Sequence, residues 1–327
     1  MYFNSTKILL GNTMMIGVIM VNCSNSWVTM WIGLELVLMS FIPFMQNMNP
    51  LSSETMIKYF IVQSIASTLF LFSISIMLVG DSMIELSNEM VLTTSMLIKL
   101  GSAPFHNWVL MIVEPMSVFP LMCMLTIMKL PPLIILHLVN TKLLTMPILL
   151  GMLISSVACL NQTSIRKTLG YSSIYNMSLM MILLPSMTET LFFLMMYTLM
   201  MIWLSKMIKT LKINYINQMI TNDFNNWIKM TLWINMLSLA GFPPLMGFLM
   251  KMMVMQKATS ENQNLVLTVL LLTSMLVLLF YIRLTFTSII SLYSFKKWTL
   301  LTKPFNQFMF TVNILLTPIL CSSMINL

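Results

Sequence analysis

The chain has 327 residues, 58% of them hydrophobic and only 8% charged, with a mean hydropathy of +0.90. A soluble domain carries about 25% charged residues, so composition excludes a soluble fold and leaves no room for a sizeable appended domain. The formal charge of +8 would suit nucleic acid, but its placement follows membrane orientation instead, and no nucleic-acid partner is expected.

Apolar runs bounded by polar or turn residues predict an all-α polytopic membrane protein with about eleven transmembrane helices. They fall at 8–22, 26–45, 56–79, 91–112, 117–139, 145–162, 170–185, 190–211, 229–256, 264–289 and 305–325. Most are close to the roughly 20 residues that cross a hydrocarbon core. The first run has no small-residue cleavage site and reads as a retained span, not a signal peptide. The second helix carries a carboxylate, Glu35, in mid-span. The third opens with Glu54 and Lys58, one turn apart; this pair is either a relay or an interfacial ion pair.

The fourth helix holds Lys99-Leu-Gly-Ser-Ala-Pro104, with His106 just beyond. Proline removes an amide donor and clashes with the preceding turn, so Pro104 marks a break. Histidine titrates near neutrality, which makes His106 a possible relay or else a packing residue. Glu114, after this helix, reads as water- or partner-facing. Lys129 precedes Pro131-Pro132 in the fifth helix, and His137 stands near that helix's end as an interfacial residue. Tyr175 lies in the seventh helix. The ninth contains Ala240-Gly-Phe-Pro243-Pro244-Leu-Met-Gly247, a second break, followed by Lys251.

An ionisable side chain at mid-membrane costs about 2.5–3.5 kcal/mol even on the lenient scale, so Glu35, Lys99, Lys129 and Lys251 read as functional. Desolvation favours a neutral amine and a nearby carboxylate favours a charged one. A lysine held between these influences exchanges a proton when its surroundings change. Snorkelling to an interface is the bland alternative.

Helices four and nine are five positions apart. An odd number of helices gives the two halves opposite orientation, and broken helices at matching positions of inverted repeats are typical of transporters. The organisation predicted is a single membrane domain over 1–327, with repeats at 8–139 and 145–289 and a C-terminal helix at 305–325. With the N-terminus inside, twelve of the seventeen basic residues fall on that side, two opposite and three within the membrane. That skew is what the positive-inside rule requires.

Four cysteines lie far apart with no paired spacing, and no metal site, nucleotide loop or nucleophile arrangement is present in the sequence. If the chain belongs to a redox enzyme, its electrons run through other chains. The forty methionines occupy positions where Ile, Leu or Val would serve. This bias resembles that of animal mitochondrial genes.

Several stretches in chain order carry a family resemblance: Ser24-Asn-Ser-Trp27, Trp31-Ile-Gly-Leu-Glu35, Ser53-Glu-Thr-Met-Ile-Lys58 and Lys99-Leu-Gly-Ser-Ala-Pro-Phe-His106-Asn-Trp108. They continue with Asn161-Gln-Thr-Ser-Ile-Arg-Lys167, Tyr171-Ser-Ser-Ile174 and Gly241-Phe-Pro-Pro-Leu-Met-Gly-Phe-Leu-Met-Lys251. Together they resemble NADH–ubiquinone oxidoreductase chain 2 of animal mitochondria, in an insect-like form.

The resemblance implies an antiporter-like subunit of respiratory complex I that translocates protons along an axis of Glu35, Lys99, Lys129 and Lys251. The enzyme would be an H+-translocating NADH:ubiquinone reductase with no redox site in this chain. FMN, iron–sulfur clusters, NADH and ubiquinone would belong to the complex, and neither metal nor cofactor to this chain. Implied partners are other membrane-arm chains, including antiporter-like chain 4 and the small core chains, with membrane lipids such as cardiolipin. The implied location is the inner mitochondrial membrane, with the N-terminus in the matrix and the C-terminus in the intermembrane space. A structural scaffold and a stand-alone cation/proton antiporter are the alternatives. The sequence departs from the family where Asn-His is usual and Tyr175-Asn176 stands, so a relay through this helix would have to use Tyr175 or water.

Overall fold

The computed structural model describes residues 5–47, 50–79, 85–139, 141–218 and 226–290. The expected helix at 305–325 lies outside them. Among the described residues the secondary structure is helical, apart from one isolated antiparallel bridge, Ser164 with Tyr215. The chain divides into two compact units, Met1–Gly151 and Met152–Leu327.

The first unit contains α1 (Ser5–Cys23), α2 (Trp27–Phe44), α3 (Pro50–Val79), α4 (Glu85–Leu100), α5 (Asn107–Val113), α6 (Val118–Leu125) and α7 (Leu130–His137). The Ser26 hydroxyl starts α2 by accepting from the Thr29 amide at 3.3 Å, one of the donors a helix start leaves unpaired. α3 packs on α2 and α4, and α7 on α1 and α4. α8 (Thr145–Cys159) crosses the boundary between the units.

The α1–α2 seam depends on two glycines. A Cβ on Gly17 would lie 3.0 Å from the Gly33 carbonyl, and one on Gly33 would lie 3.1 Å from the Gly17 carbonyl, each also 2.7 Å from a valine methyl. Small residues that let backbones approach are the usual means of helix association where no hydrophobic drive exists. Overpacking of this kind costs about 1–3 kcal/mol. Gly33→Val should therefore lower the temperature at which the detergent-solubilised protein loses its native tryptophan fluorescence. Gly11→Val, which meets open space, should leave that temperature unchanged.

The second unit holds α9 (Ile165–Leu183), α10 (Met187–Leu211), α11 (Asn226–Ala240), α12 (Met246–Ser260) and α13 (Asn264–Ile290). α9 is central: nearly every residue from Thr168 to Leu183 is buried. Its serine and threonine hydroxyls bond within the helix, Ser172 donating to the Leu169 carbonyl at 2.9 Å and Ser178 to that of Tyr175 at 2.6 Å. α11 packs against α10, α12 and α13.

Two junctions deserve comparison. α4 stops at Leu100, and Gly101 follows at φ +65°, its amide donating to the Ile98 carbonyl while the Ser102 amide reaches that of Leu97. α11 stops at Ala240, and Gly241 follows at φ +78°, with amides of Gly241 and Phe242 donating to the Ser238 and Leu237 carbonyls. Both have the glycine-closed pattern that ends helices. Ala103–Pro104 and Pro243–Pro244 are cis in the following residues. The run expected as one helix at 117–139 is instead α6, a tight turn at Ile127–Lys129, and α7. The run expected at 170–185 begins earlier, because Arg166 and Lys167 lie inside α9.

Six stretches are long and apolar enough to cross a membrane among the described residues: Ser5–Cys23, Trp27–Phe44, Pro50–Leu78, Val118–His137, Met187–Leu211 and Asn264–Phe286. Large apolar side chains such as Leu78, Met146 and Leu272 point outward, as they do in a protein solvated by lipid.

Candidate functional site: buried amines beside helix ends

Lys99 ends α4, in its last turn, and is buried at 8% exposure. Lys129 closes the tight turn before α7 and is buried at 5%. The two lysines line one chamber of about 30 Å³, together with Tyr59 and Gln63 of α3 and Trp108 of α5. A water needs about 10–15 Å³ of such space and two or more polar partners, so the chamber has room for one or two.

The walls are held by cross-helix bonds. The Gln63 amide donates to the Lys99 carbonyl at 3.3 Å, and the Trp108 indole donates to the Ile98 carbonyl at 3.2 Å. The Gln63 bond satisfies a carbonyl that the end of α4 leaves without a helix partner, and Trp108 is a second donor to the Ile98 carbonyl, which also accepts from the Gly101 amide. Tyr59 is wedged between Phe41, at 5.2 Å between ring centroids, and Trp108, at 6.0 Å. The lysine at the end of α4 is also favoured by the negative end of the helix dipole.

Glu35 on α2 is half-buried, and its charge reaches both Lys99 and Tyr59. Its Oε1 atom is buried without a hydrogen bond among the described residues, as is the Trp31 indole nitrogen one turn earlier. Buried polar atoms are nearly always paired. An orphan acceptor and an orphan donor on one helix face mark a place where water or a neighbouring chain's group belongs.

In the second unit, Lys251 lies in the second turn of α12, at 6% exposure. Its ammonium donates to the carbonyl of Ala240, the last residue of α11. The Tyr175 ring centroid is 5.8 Å from Nζ, within cation–π range. Gly241 makes the room: a Cβ there would lie 2.7 Å from Cδ and Cε of Lys251 and 3.0 Å from Nζ. An ammonium docked on a helix C-terminus, over an aromatic face, is stabilised without a carboxylate.

Other expected residues lie apart from these sites. His106 is half-buried between α4 and α5 and donates Nδ1–H to the Pro104 carbonyl at 3.1 Å; it does not line the chamber. Lys58 pairs with Glu54 on a half-exposed part of α3. Among the described residues no three His, Cys, Asp or Glu side chains gather closely enough to hold a metal ion.

Sequence reasoning missed Lys229. Its place at the start of a helix suits an interfacial lysine, yet it is buried at 2% exposure near the start of α11. It also missed Gln63 and Trp108, whose partners lie on another helix.

Apolar helices that end beside buried amines belong here to a chain of the antiporter-like transmembrane class, as its family match shows. Residues 24–277 match the family described as NADH:quinone oxidoreductase/Mrp antiporter, transmembrane. The backbone is similar to a chain of respiratory complex I from Thermus thermophilus with bound aureothin, at TM-score 0.81 and 19% identity over 97% of this chain and 78% of that one. A chain of the membrane-bound sulfane sulfur reductase, an archaeal respiratory membrane complex, gives TM-score 0.83 at 15% identity over 96% and 73%. These likenesses concern the fold.

Sequence relatives narrow the class. NADH-ubiquinone oxidoreductase chain 2 of Anopheles gambiae is 34% identical over 91% of this chain and 90% of its own length, and that of Locusta migratoria is 32% identical over 91% and 90%. The chain belongs to the NADH-ubiquinone oxidoreductase chain 2 family.

Proposed function

We propose that the chain is a core membrane-arm subunit of proton-pumping NADH:ubiquinone oxidoreductase in the inner mitochondrial membrane, with the N-terminus in the matrix and the C-terminus in the intermembrane space. The redox groups (FMN and iron–sulfur clusters) and the substrates NADH and ubiquinone are handled by other subunits. Partners are the neighbouring membrane-arm chains, such as chain 4 and the small core chains, within lipid that includes cardiolipin. α4–α5 and α11–α12 are the two halves of broken membrane helices in two five-helix repeats of opposite orientation.

In this reading Glu35 biases the charge on Lys99, Lys129 passes the proton on laterally, and Lys251 loads or releases it toward a neighbouring subunit, with Tyr175 beside it as the relay group. The observation that supports this most is the chamber shared by Lys99 and Lys129: two buried amines with room for water beside them. Magnitudes agree. Moving one charge against 100 mV takes about 2.3 kcal/mol, and a change of one pKa unit in a lysine supplies about 1.4 kcal/mol.

The test is proton pumping per NADH oxidised by the intact complex in sealed vesicles. Glu35→Gln and Lys99→Met should each lower that ratio, while NADH oxidation with an artificial electron acceptor stays normal. Unchanged ratios in both variants would reduce the chain to a structural scaffold of the membrane arm.

A further inference from the structure

The second unit has one strongly basic end. The bridge between Ser164 and Tyr215 ties the start of α9 to the segment after α10, which places Arg166, Lys167, Lys206, Lys209 and Lys212 at the same end. The described carboxylates of this unit are elsewhere: Glu189 is in the first turn of α10 and Glu261 follows α12. Both belong to the opposite end.

A cavity of about 360 Å³ opens at the basic end, between the α8–α9 turn and α13. Asn161, Gln162, Thr163 and Arg283 line one part of it, and Leu160 and Phe280 another. Arg283 is exposed. Among the described residues the side chains of Asn161, Thr163 and Arg283 make no hydrogen bond or ion pair, so their donors face the cavity uncommitted. Gln162 spends one N–H on the Ala158 carbonyl at 3.3 Å and keeps another.

The depth is also informative. Arg283 is nineteen residues along α13 from Asn264, about 28 Å at 1.5 Å per residue. The hydrocarbon core is about 30 Å thick, so this guanidinium stands at headgroup level. Orientation by positive charge alone accounts for lysines on an open surface. It does not account for an arginine and three amide or hydroxyl groups around a concavity with an apolar wall.

We infer that this cavity is a binding site for an anionic phosphate group, with Arg283 as its anchor and Asn161, Gln162 and Thr163 as further donors. Guanidinium matches phosphate geometry with two parallel hydrogen bonds. Basic pockets between membrane helices at an interface are suited to phospholipid headgroups, and here Leu160 and Phe280 would meet the first acyl carbons. The site depends on the membrane-embedded fold and not on the proposed proton path.

The experiment uses the assembled complex, delipidated and returned to phosphatidylcholine vesicles containing a photoactivatable diphosphatidylglycerol. Labelling should map to peptides containing 160–163 and 280–284. It should fall roughly tenfold or more in Arg283→Gln, the loss of one charge-assisted bond, and be largely restored in Arg283→Lys. Native gels confirm that each variant assembles, and the Glu35→Gln and Lys99→Met variants, which lower pumping, should keep normal labelling. Competition by inorganic phosphate would show that the phosphate alone suffices, and absence of competition would show that the lipid is required. Equal labelling by photoactivatable phosphatidylcholine, or equal labelling of wild type and Arg283→Gln, would overturn the inference and leave only neutral lipid contact.

Discussion

Replacing Lys251 with methionine should slow the proton step at this site by about a hundredfold, the low end of what a positioned proton-transfer group contributes, and lower the protons pumped per NADH. The side chain fills a space that Gly241 leaves open and binds the Ala240 carbonyl. Methionine keeps the bulk but leaves that carbonyl unpaired, a cost of about 1–3 kcal/mol. Some loss of stability therefore accompanies the functional loss. Lys251→Arg separates the two causes. Arginine is cationic and still donates to a helix end, but it does not give up its proton in a protein. If the amine exchanges protons, the arginine variant assembles well and pumps as poorly as the methionine variant. If only a fixed charge is needed, it pumps normally.

Gly247→Ala should strongly disturb the packing of the second unit. The new Cβ would lie 1.6 Å from the Ser238 carbonyl oxygen and 2.8 Å from its carbon. Both are backbone atoms of α11, so no side chain can swing away. Ordinary overpacking costs about 1–3 kcal/mol, and a collision with helix backbone belongs at or above that range. α12 would have to move away from α11, taking Lys251 from the Ala240 carbonyl. The measurement is the amount of fully assembled complex on native gels and its thermal inactivation. Gly241→Ala makes a useful contrast: the atoms in its way are the tail of Lys251, which can shift, although φ +78° still disfavours a side chain. Assembly should fall further in Gly247→Ala than in Gly241→Ala.

What could be read in the sequence depended on contrast. Lys99, Lys129 and Lys251 stood out because each interrupts an apolar run, and all three are buried. The two glycine-closed junctions were announced by Gly-Ser-Ala-Pro104 and Gly-Phe-Pro-Pro244. Lys229 gave no such contrast. One turn from a helix start it looks like an ordinary interfacial lysine, and only packing against neighbouring helices reveals its burial. Gln63 and Trp108 were illegible for another reason: their donors satisfy the end of α4, and no local spacing encodes a bond between separate helices. The early start of α9 was hidden by Arg166 and Lys167. Cations in a first helical turn oppose the dipole and read as loop. The tight turn at Ile127–Lys129 was likewise masked, since Pro131-Pro132 attracts attention to the wrong side of the lysine.

Placing Lys129 on a turn instead of inside a continuous helix also changes its chemistry. The Lys129 amide donates to the Thr126 carbonyl at 3.1 Å, and the Thr126 hydroxyl donates to that of Met122 at 2.7 Å. The local backbone is thus closed by its own groups, and Lys129 lines the chamber it shares with Lys99.

The most direct measurement is a structure of the intact complex at a resolution that shows ordered water. Water should occupy the chamber between Lys99 and Lys129, bonded to at least one of the two amines. A dry chamber closed by Tyr59, Gln63 and Trp108, with both amines turned away from it, would contradict the account.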